Sequence, residues 1–170
     1  MLISIIVISI MGTLFHFLYD ISNHNKIIGL FAAVNESTWE HIKIALTPTL
    51  IWSFVDGYIY GMNLNYFLAK FISLLSVIVI MPLLFYSYKF LFQKNNAIIN
   101  IIIFYVVIIC SQYLFFYIIS IPTINYFWQY LSCILTFVIF ACYMIFTLLP
   151  LETFLFKDPI TNKYGFKGHK

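Results

Sequence analysis

The chain has 170 residues, of which 63% are hydrophobic and only 9% are charged, and its formal net charge is +3. Soluble domains carry about 25% charged residues, so this composition excludes an ordinary soluble fold and indicates an integral membrane protein. The lysines are spread over loops rather than gathered on one face, so nucleic acid is not an expected partner.

The chain is expected to fold as one all-α domain, a polytopic membrane bundle of five transmembrane helices over residues 1–149. A spanning helix needs about 20 predominantly apolar residues. The segments that meet this requirement cover about residues 2–19, 37–61, 64–90, 97–120 and 125–149. Residues 150–170 follow as a polar cytoplasmic tail of the same domain. The stretch 27–34 is too short to span, and whether it re-enters the membrane stays open.

The distribution of lysine predicts the orientation in the membrane. With five spans, the first loop, the third loop and the tail share one side, which holds eight of the nine lysines. Positively charged residues stay in the cytoplasm. The bias towards lysine, isoleucine and asparagine is typical of an AT-rich bacterial genome. We therefore expect a multi-pass protein of the bacterial plasma membrane, with its N-terminus outside and its C-terminus in the cytoplasm.

Polar side chains gather where the second predicted span begins. Glu36 and Glu40 share a face if this segment is helical, and His41 follows directly. His16 and Asp20 are also four residues apart, near the same end of the first span. The loop between these spans is short, so the spans should be neighbours. We expect the five side chains to converge in one pocket that faces the cytoplasm.

Two interpretations of this segment remain open. In a capping box, the Ser37 hydroxyl accepts from the backbone N–H of Glu40, and the Glu40 carboxylate accepts from that of Ser37. Alternatively, His16, Asp20, Glu36, Glu40 and His41 could bind a divalent metal such as zinc, since histidine nitrogen and carboxylate oxygen are its usual ligands. Glu40 and His41 would then be the catalytic groups. His24, in a loop, and His169, in the tail, are expected to be solvated.

A second polar layer is predicted at the opposite side of the membrane. Asp56 lies near the outer end of the second span and Lys70 near the outer start of the third. A hairpin would bring them together as a structural ion pair, which relieves the burial of both charges. Gln112 and Gln129 could join them. The same residues could instead mark one end of a transport path.

The tail contains signals for a turn around Asp158, Tyr164 and Gly165. Asp158 precedes a proline, and Asn162 or Gly165 can adopt a positive φ angle. We expect the tail to fold back over the cytoplasmic mouth and to add Glu152 or Asp158 to the pocket. The alternative is a mobile basic tail held near anionic lipid.

Three stretches together resemble a known family: Gly12–Tyr19, Asn35–His41 and Phe156–Gly165. The resemblance is to small multi-pass bacterial membrane proteins of unknown function, mainly from Clostridia and other low-GC Gram-positive bacteria. It covers nearly the whole chain, and Asn162 stands where a glycine is expected in the tail turn. The resemblance implies a multi-pass membrane protein and assigns no activity, ligand or site residue.

The sequence supports three hypotheses for the function. The first is a metal-assisted hydrolase or transferase that acts on a lipid-like substrate at the predicted pocket. The second is a non-catalytic partner subunit of a larger membrane complex. The third is a small proton- or ion-coupled transporter. A convergent pocket would favour the enzyme, and a continuous polar path from Asp56 to Glu40 would favour transport.

Overall fold

The computed structural model describes residues 1–93 and 96–169, and it is all-helical. This confirms the predicted all-α class. The helices are α1 (Leu2–Ile21), α2 (Lys26–Gly29), α3 (Thr38–Tyr60), α4 (Tyr66–Phe92), α5 (Ala97–Ser120) and α6 (Tyr126–Leu148), followed by a 3₁₀ turn at Gly165–Gly168. Lys94, Asn95 and Lys170 lie outside the described residues. Lys94 and Asn95 belong to the predicted third loop.

Local chemistry explains several helix limits. The side chains of Asn96 and Asn125 each accept a hydrogen bond from the backbone N–H two residues on, so α5 and α6 begin with asparagine caps. The chain turns after α4 at Gln93, which has a φ of 50°. The short helix α2 begins one residue before the stretch 27–34 and overlaps its start. No helix was predicted there.

Four helices in the described part of the chain are long and apolar enough to cross a membrane: α1, α4, α5 and α6. Helix α3 is not among them, so the prediction of five transmembrane helices is not confirmed. The reason lies in its composition, because α3 carries Glu40, Lys43 and Asp56. All three side chains are buried within the protein.

The first half of helix α3 lies inside the bundle. It packs against α1, α4 and α5, and its residues from Thr38 to Thr49 are almost all buried. At Gly12 of α1, an added Cβ would lie 2.7 Å from the Ile44 carbonyl oxygen and 2.5 Å from the Phe104 ring. Glycine therefore allows α1 to approach α3 and α5 closely at this level.

The tail folds back onto the start of α3. The backbone N–H of Trp39 donates to the carbonyl of Leu155 at 2.9 Å, and the Trp39 ring stacks on Phe156 with centroids 4.7 Å apart. Lys157 and Tyr164 form an isolated antiparallel bridge. The described part of the tail is thus folded against the start of α3.

Asn162 makes the tail turn with a φ of 59°. Asparagine tolerates this left-handed region, whereas a β-branched residue is strained there by about 1–3 kcal/mol. We expect Asn162→Gly to unfold at the same temperature as the native protein and Asn162→Val to unfold at a lower one. Thermal unfolding in detergent micelles, with Lys163→Val as the matched control, checks this. Equal midpoints for the two valine variants would contradict the turn.

Candidate functional site

The loop between α1 and α3 lies against the inside of the bundle. The backbone carbonyls of Gly29, Leu30 and Phe31 accept hydrogen bonds from three buried side chains. The donors are Lys43 Nζ at 2.8 Å, Tyr143 Oη at 2.8 Å and Thr47 Oγ1 at 2.9 Å, respectively. Buried backbone oxygens need such partners where water is excluded. The loop is thus anchored by α3 and α6, and it delivers residues 34–37 to the start of α3.

Glu40 forms a buried ion pair with Lys43. Glu40 Oε2 lies 2.5 Å from Lys43 Nζ, and the exposed fractions of the two residues are 2% and 0%. The same carboxylate oxygen accepts from the backbone N–H of Val34 at 3.0 Å. This placement differs from the expected common pocket, because Glu40 binds the loop instead of joining the other predicted ligands.

Helix α3 begins with half of the expected capping box. The Ser37 hydroxyl accepts from the backbone N–H of Glu40 at 3.4 Å. The reciprocal bond of the box is replaced, since the N–H of Ser37 donates to Asn35 Oδ1 at 2.8 Å. Glu36 therefore precedes the helix and does not share a helical face with Glu40.

His16, Glu36 and His41 come together from three different segments, and we call them the first histidine group. Glu36 Oε2 lies 3.8 Å from His16 Nε2 and 3.8 Å from His41 Nε2. One ligand atom from each of the three lies within 4.8 Å of the others. These separations are too long for direct hydrogen bonds. Two ligands of a tetrahedral zinc ion are about 3.4 Å apart, so a small closure would complete a site.

The orientation of His41 suits metal binding. Its Nδ1 lies 2.9 Å from the carbonyl oxygen of Ser37, the residue that caps the start of α3. If Nδ1 carries the proton and donates to this carbonyl, Nε2 keeps its lone pair and faces Glu36. Metal-binding histidines commonly hold their second ring nitrogen in this way.

Two adjoining cavities open beside the first histidine group. One has a volume of about 310 Å³ and lies between α1, α3 and α5, and the other, of about 320 Å³, extends towards α4 and the tail. Glu36, His41, Ala97 and Asn100 line both. Most of the remaining lining is apolar, including Phe17 and Phe104. A small amphipathic molecule could reach the group from this cleft.

Asp20 lies apart from these residues, in what we call the second histidine group. Asp20 Oδ1 is 3.5 Å from His24 Nε2 and 3.4 Å from His169 Nε2. The two imidazole rings are 4.3 Å apart between centroids. His24 and His169 were expected to be solvated, and His24 is indeed mostly exposed. The side chain of His169, however, is only 23% exposed.

Asp158 of the tail binds the loop that precedes α3. Its Oδ1 accepts from the backbone N–H of Glu36 at 3.1 Å, and its Oδ2 accepts from the Thr161 hydroxyl at 2.6 Å. Gly165, at a φ of 52°, presents its carbonyl to Asn35 Nδ2 at 2.9 Å. Asp158 therefore holds the backbone of Glu36, while Glu152 is exposed.

The structure places Asp56 and Lys70 together at the opposite end of the bundle. Lys70 Nζ donates to Asp56 Oδ2 at 2.6 Å, and both residues are 2% exposed. Gln129 does not join them but donates to Asn65 Oδ1 at 3.2 Å. Neither amide atom of Gln112 has a hydrogen-bond partner among the described residues.

The sequence analysis missed several residues, both at the candidate site and at the opposite end of the bundle. Lys43 was counted only among the lysines of the cytoplasmic side, although its position three residues after Glu40 is a helical pair signal. Asn65 ties the loop before α4 to the loop before α6, since its Nδ2 donates to the carbonyl of Ile121 at 2.9 Å and its Oδ1 accepts from the N–H of Ile124 at 3.0 Å. Asn100 lines the cleft from the first turn of α5 and carries no distinguishing sequence signal.

Comparison of the sequence with known protein families shows which family the chain belongs to. No curated protein and no solved structure matches the chain. The sequence profile of a family of unknown function, DUF6512, matches residues 1–166 and so covers α1 to α6, the loop before α3 and the tail as far as Phe166. The chain therefore belongs to the DUF6512 family.

Proposed function

We propose that this protein binds zinc, or another divalent transition metal, through His16, Glu36 and His41. The metal would serve hydrolysis or group transfer on a lipid-like substrate. The observation that carries the proposal is the convergence of two imidazole nitrogens and one carboxylate oxygen from three separate segments. Two histidines and a carboxylate form a known catalytic zinc set that leaves a position open for water or substrate.

The chemistry follows from that open position. A zinc ion would lower the pKa of its water towards 7 and polarise a carbonyl or phosphoryl oxygen. The residues of the chain hold the ligands: Ser37 orients His41, and Asp158 fixes the backbone of Glu36. Glu40 was a predicted catalytic residue and metal ligand, but its pairing with Lys43 removes it from the proposed set. Asp20 is also outside this set.

A lipid-like substrate suits the position of the cleft. Its walls come from α1 and α5, two of the helices that could cross a membrane, and they are mostly apolar. The ligands lie near the end of α1, where the polar part of a lipid would lie if these helices span the bilayer. A molecule with an apolar chain and a polar linkage would therefore present that linkage to the first histidine group.

We also propose that α3 is the fifth transmembrane helix. It connects the end of the bundle where Glu36 meets the tail with the end where Asn65 bonds to Ile121. Its 23 residues extend about 34 Å, enough for a bilayer core of about 30 Å. Its charged residues are paired inside the protein, so it does not need the apolar composition of a lipid-facing helix.

The orientation in a bacterial plasma membrane follows from the exposed lysines. Lys26, Lys89, Lys157, Lys163 and Lys167 are exposed and lie at the end that contains the site. Lys43 and Lys70 are buried in ion pairs and do not contribute to the surface charge. The rule that positive loops stay inside then places the site and the C-terminus in the cytoplasm and the N-terminus outside.

The other two functions receive less support. Between the Glu40–Lys43 and Asp56–Lys70 pairs, α3 buries the apolar residues Ile44, Ala45 and Leu46. The threonines buried there, Thr47 and Thr49, donate to backbone carbonyls of α3, which suits packing better than a polar path for ions. A role as a partner subunit would use the lipid-facing surface, and it stays a prediction.

Metal content tests the proposal. Protein purified in detergent after growth with zinc is analysed by elemental mass spectrometry. We expect His16→Ala/His41→Ala to hold about one zinc less per chain than the native protein, because three protein ligands make one site. Phe17→Ala is the control, since Phe17 neighbours His16 in the cleft without offering a ligand. Equal zinc in native and double-variant protein, both folded, would overturn the proposal.

A further inference from the structure

The second histidine group has the features of a separate metal site. Asp20 closes α1, His24 follows in the loop, and His169 comes from the far end of the tail. One ligand atom from each lies within 4.8 Å of the others. Both histidines direct Nε2 to the same carboxylate oxygen, at 3.5 Å and 3.4 Å, which leaves space for an ion between them.

The orientation of His169 repeats that of His41. Its Nδ1 lies 3.1 Å from the carbonyl oxygen of Val34, in the loop that precedes α3. A proton on Nδ1 would donate to this carbonyl and leave Nε2 free to bind a metal. The Tyr19 ring packs edge-on against His169 with centroids 5.0 Å apart, which further limits the rotation of the imidazole.

His24 is held at the group by an uncommon backbone conformation. Asn23 and His24 have φ angles of 54° and 61°. The backbone N–H of His24 donates to the carbonyl of Tyr19 at 3.0 Å, so the chain turns back over the end of α1. Asparagine often ends a helix in this way, and histidine is another of the non-glycine residues that adopt the left-handed region more often than most. The turn brings the imidazole to Asp20 instead of directing it to solvent.

The two histidine groups face one shared cavity. A space of about 190 Å³ is lined by His16 and Glu36 from the first group and by Asp20 and His169 from the second. Asp158 and Gly168 of the tail close it. The C-terminal tail thus contributes a ligand to the second group while Asp158 holds the backbone of a ligand of the first.

We propose that Asp20, His24 and His169 bind a second divalent transition metal, which fastens the C-terminal tail to the end of α1. This ion would keep Asp158 against the N–H of Glu36 and so help to position the first site. The inference extends beyond the proposed function, because a structural ion at the tail requires no catalysis at the first histidine group.

Zinc titration of the chelator-treated protein in detergent, followed by equilibrium dialysis, tests the stoichiometry. Native protein is expected to bind about two zinc ions per chain, and His24→Ala and His169→Ala about one each, since loss of one of three protein ligands disables a site. Lys167→Ala, an exposed change in the same tail, should keep both ions. Unchanged stoichiometry in both histidine variants would overturn the inference.

Hydrogen exchange of residues 158–169 tests the fastening itself. Free zinc at ten times its dissociation constant should slow the opening of the tail roughly tenfold in native protein. His24→Ala removes the ring contact with His169, but that contact is the same with and without zinc, so loss of the zinc-dependent slowing in this variant would report the metal and not packing. An equal zinc effect in His24→Ala would contradict the inference.

The two proposals fail in different ways. His16→Ala/His41→Ala is expected to lose one ion and to keep the zinc effect on the tail. If the native protein binds one ion, which this double variant keeps and His24→Ala loses, the proposed function fails and the second site stands. If that one ion is lost by the double variant and kept by His24→Ala, the reverse holds.

Discussion

Replacement of Lys43 by methionine is expected to lower the free energy of unfolding by about 3–5 kcal/mol, because it leaves the charge of Glu40 buried without a partner. The carboxylate would keep only the hydrogen bond from the N–H of Val34. The carbonyl of Gly29 would also lose its donor. Denaturant titration in detergent micelles, monitored by circular dichroism, measures this loss.

Two further variants separate charge from size. Lys26→Met removes an exposed lysine and should change the stability by less than about 0.5 kcal/mol. Glu40→Gln/Lys43→Met removes both charges and should recover most of the loss, since replacement of both partners of a buried pair is often close to neutral. A Lys43→Met protein as stable as Lys26→Met would contradict the buried pair.

Replacement of Lys70 by methionine is expected to cost about 3–5 kcal/mol for the same reason, here at the other end of the bundle. Asp56 would remain 2% exposed without its cation. The Lys70 ammonium also lies 4.2 Å from the centroid of the Phe115 ring, so its removal deletes a cation–π contact. Denaturant titration in the same micelles compares this variant with Lys70→Met/Asp56→Asn.

The double variant decides between a structural pair and a transport path. A structural role predicts that neutralising both residues restores most of the stability. Lys89→Met is the control, because Lys89 is an exposed lysine on the same helix. No loss of stability in Lys70→Met would contradict a structural pair and would return attention to ion transport.

Hydropathy indicated the five long helices, but neither the short helix α2 nor the site. Predicted limits such as 97–120 agree with α5 because a run of apolar residues bounded by polar turns leaves few alternatives. The prediction of a shared face for Glu36 and Glu40 assumed that the helix includes both. The helix begins only at Thr38, so Glu36 turns towards His16 and Glu40 towards Lys43.

The second histidine group could not be predicted for a different reason. His24 and His169 lie at opposite ends of the chain, and their proximity depends on how the tail returns over α1. That return rests on individual hydrogen bonds, such as Asn35 Nδ2 to the carbonyl of Gly165, which periodicity does not reveal. Turn signals in the tail predicted that it folds back over the cytoplasmic mouth, but not that His169 reaches Asp20 and His24.

X-ray absorption spectroscopy at the zinc edge of the loaded protein tests the central claim most directly. The account predicts about two imidazole nitrogens per zinc at about 2.0–2.1 Å, with oxygen as the remaining ligand and no sulfur. Both histidine groups have this ligand set, so a second ion does not change the expected spectrum. Sulfur at about 2.3 Å, from Cys110, Cys133 or Cys142, or a shell of oxygen alone, would contradict the assignment of His16, Glu36 and His41.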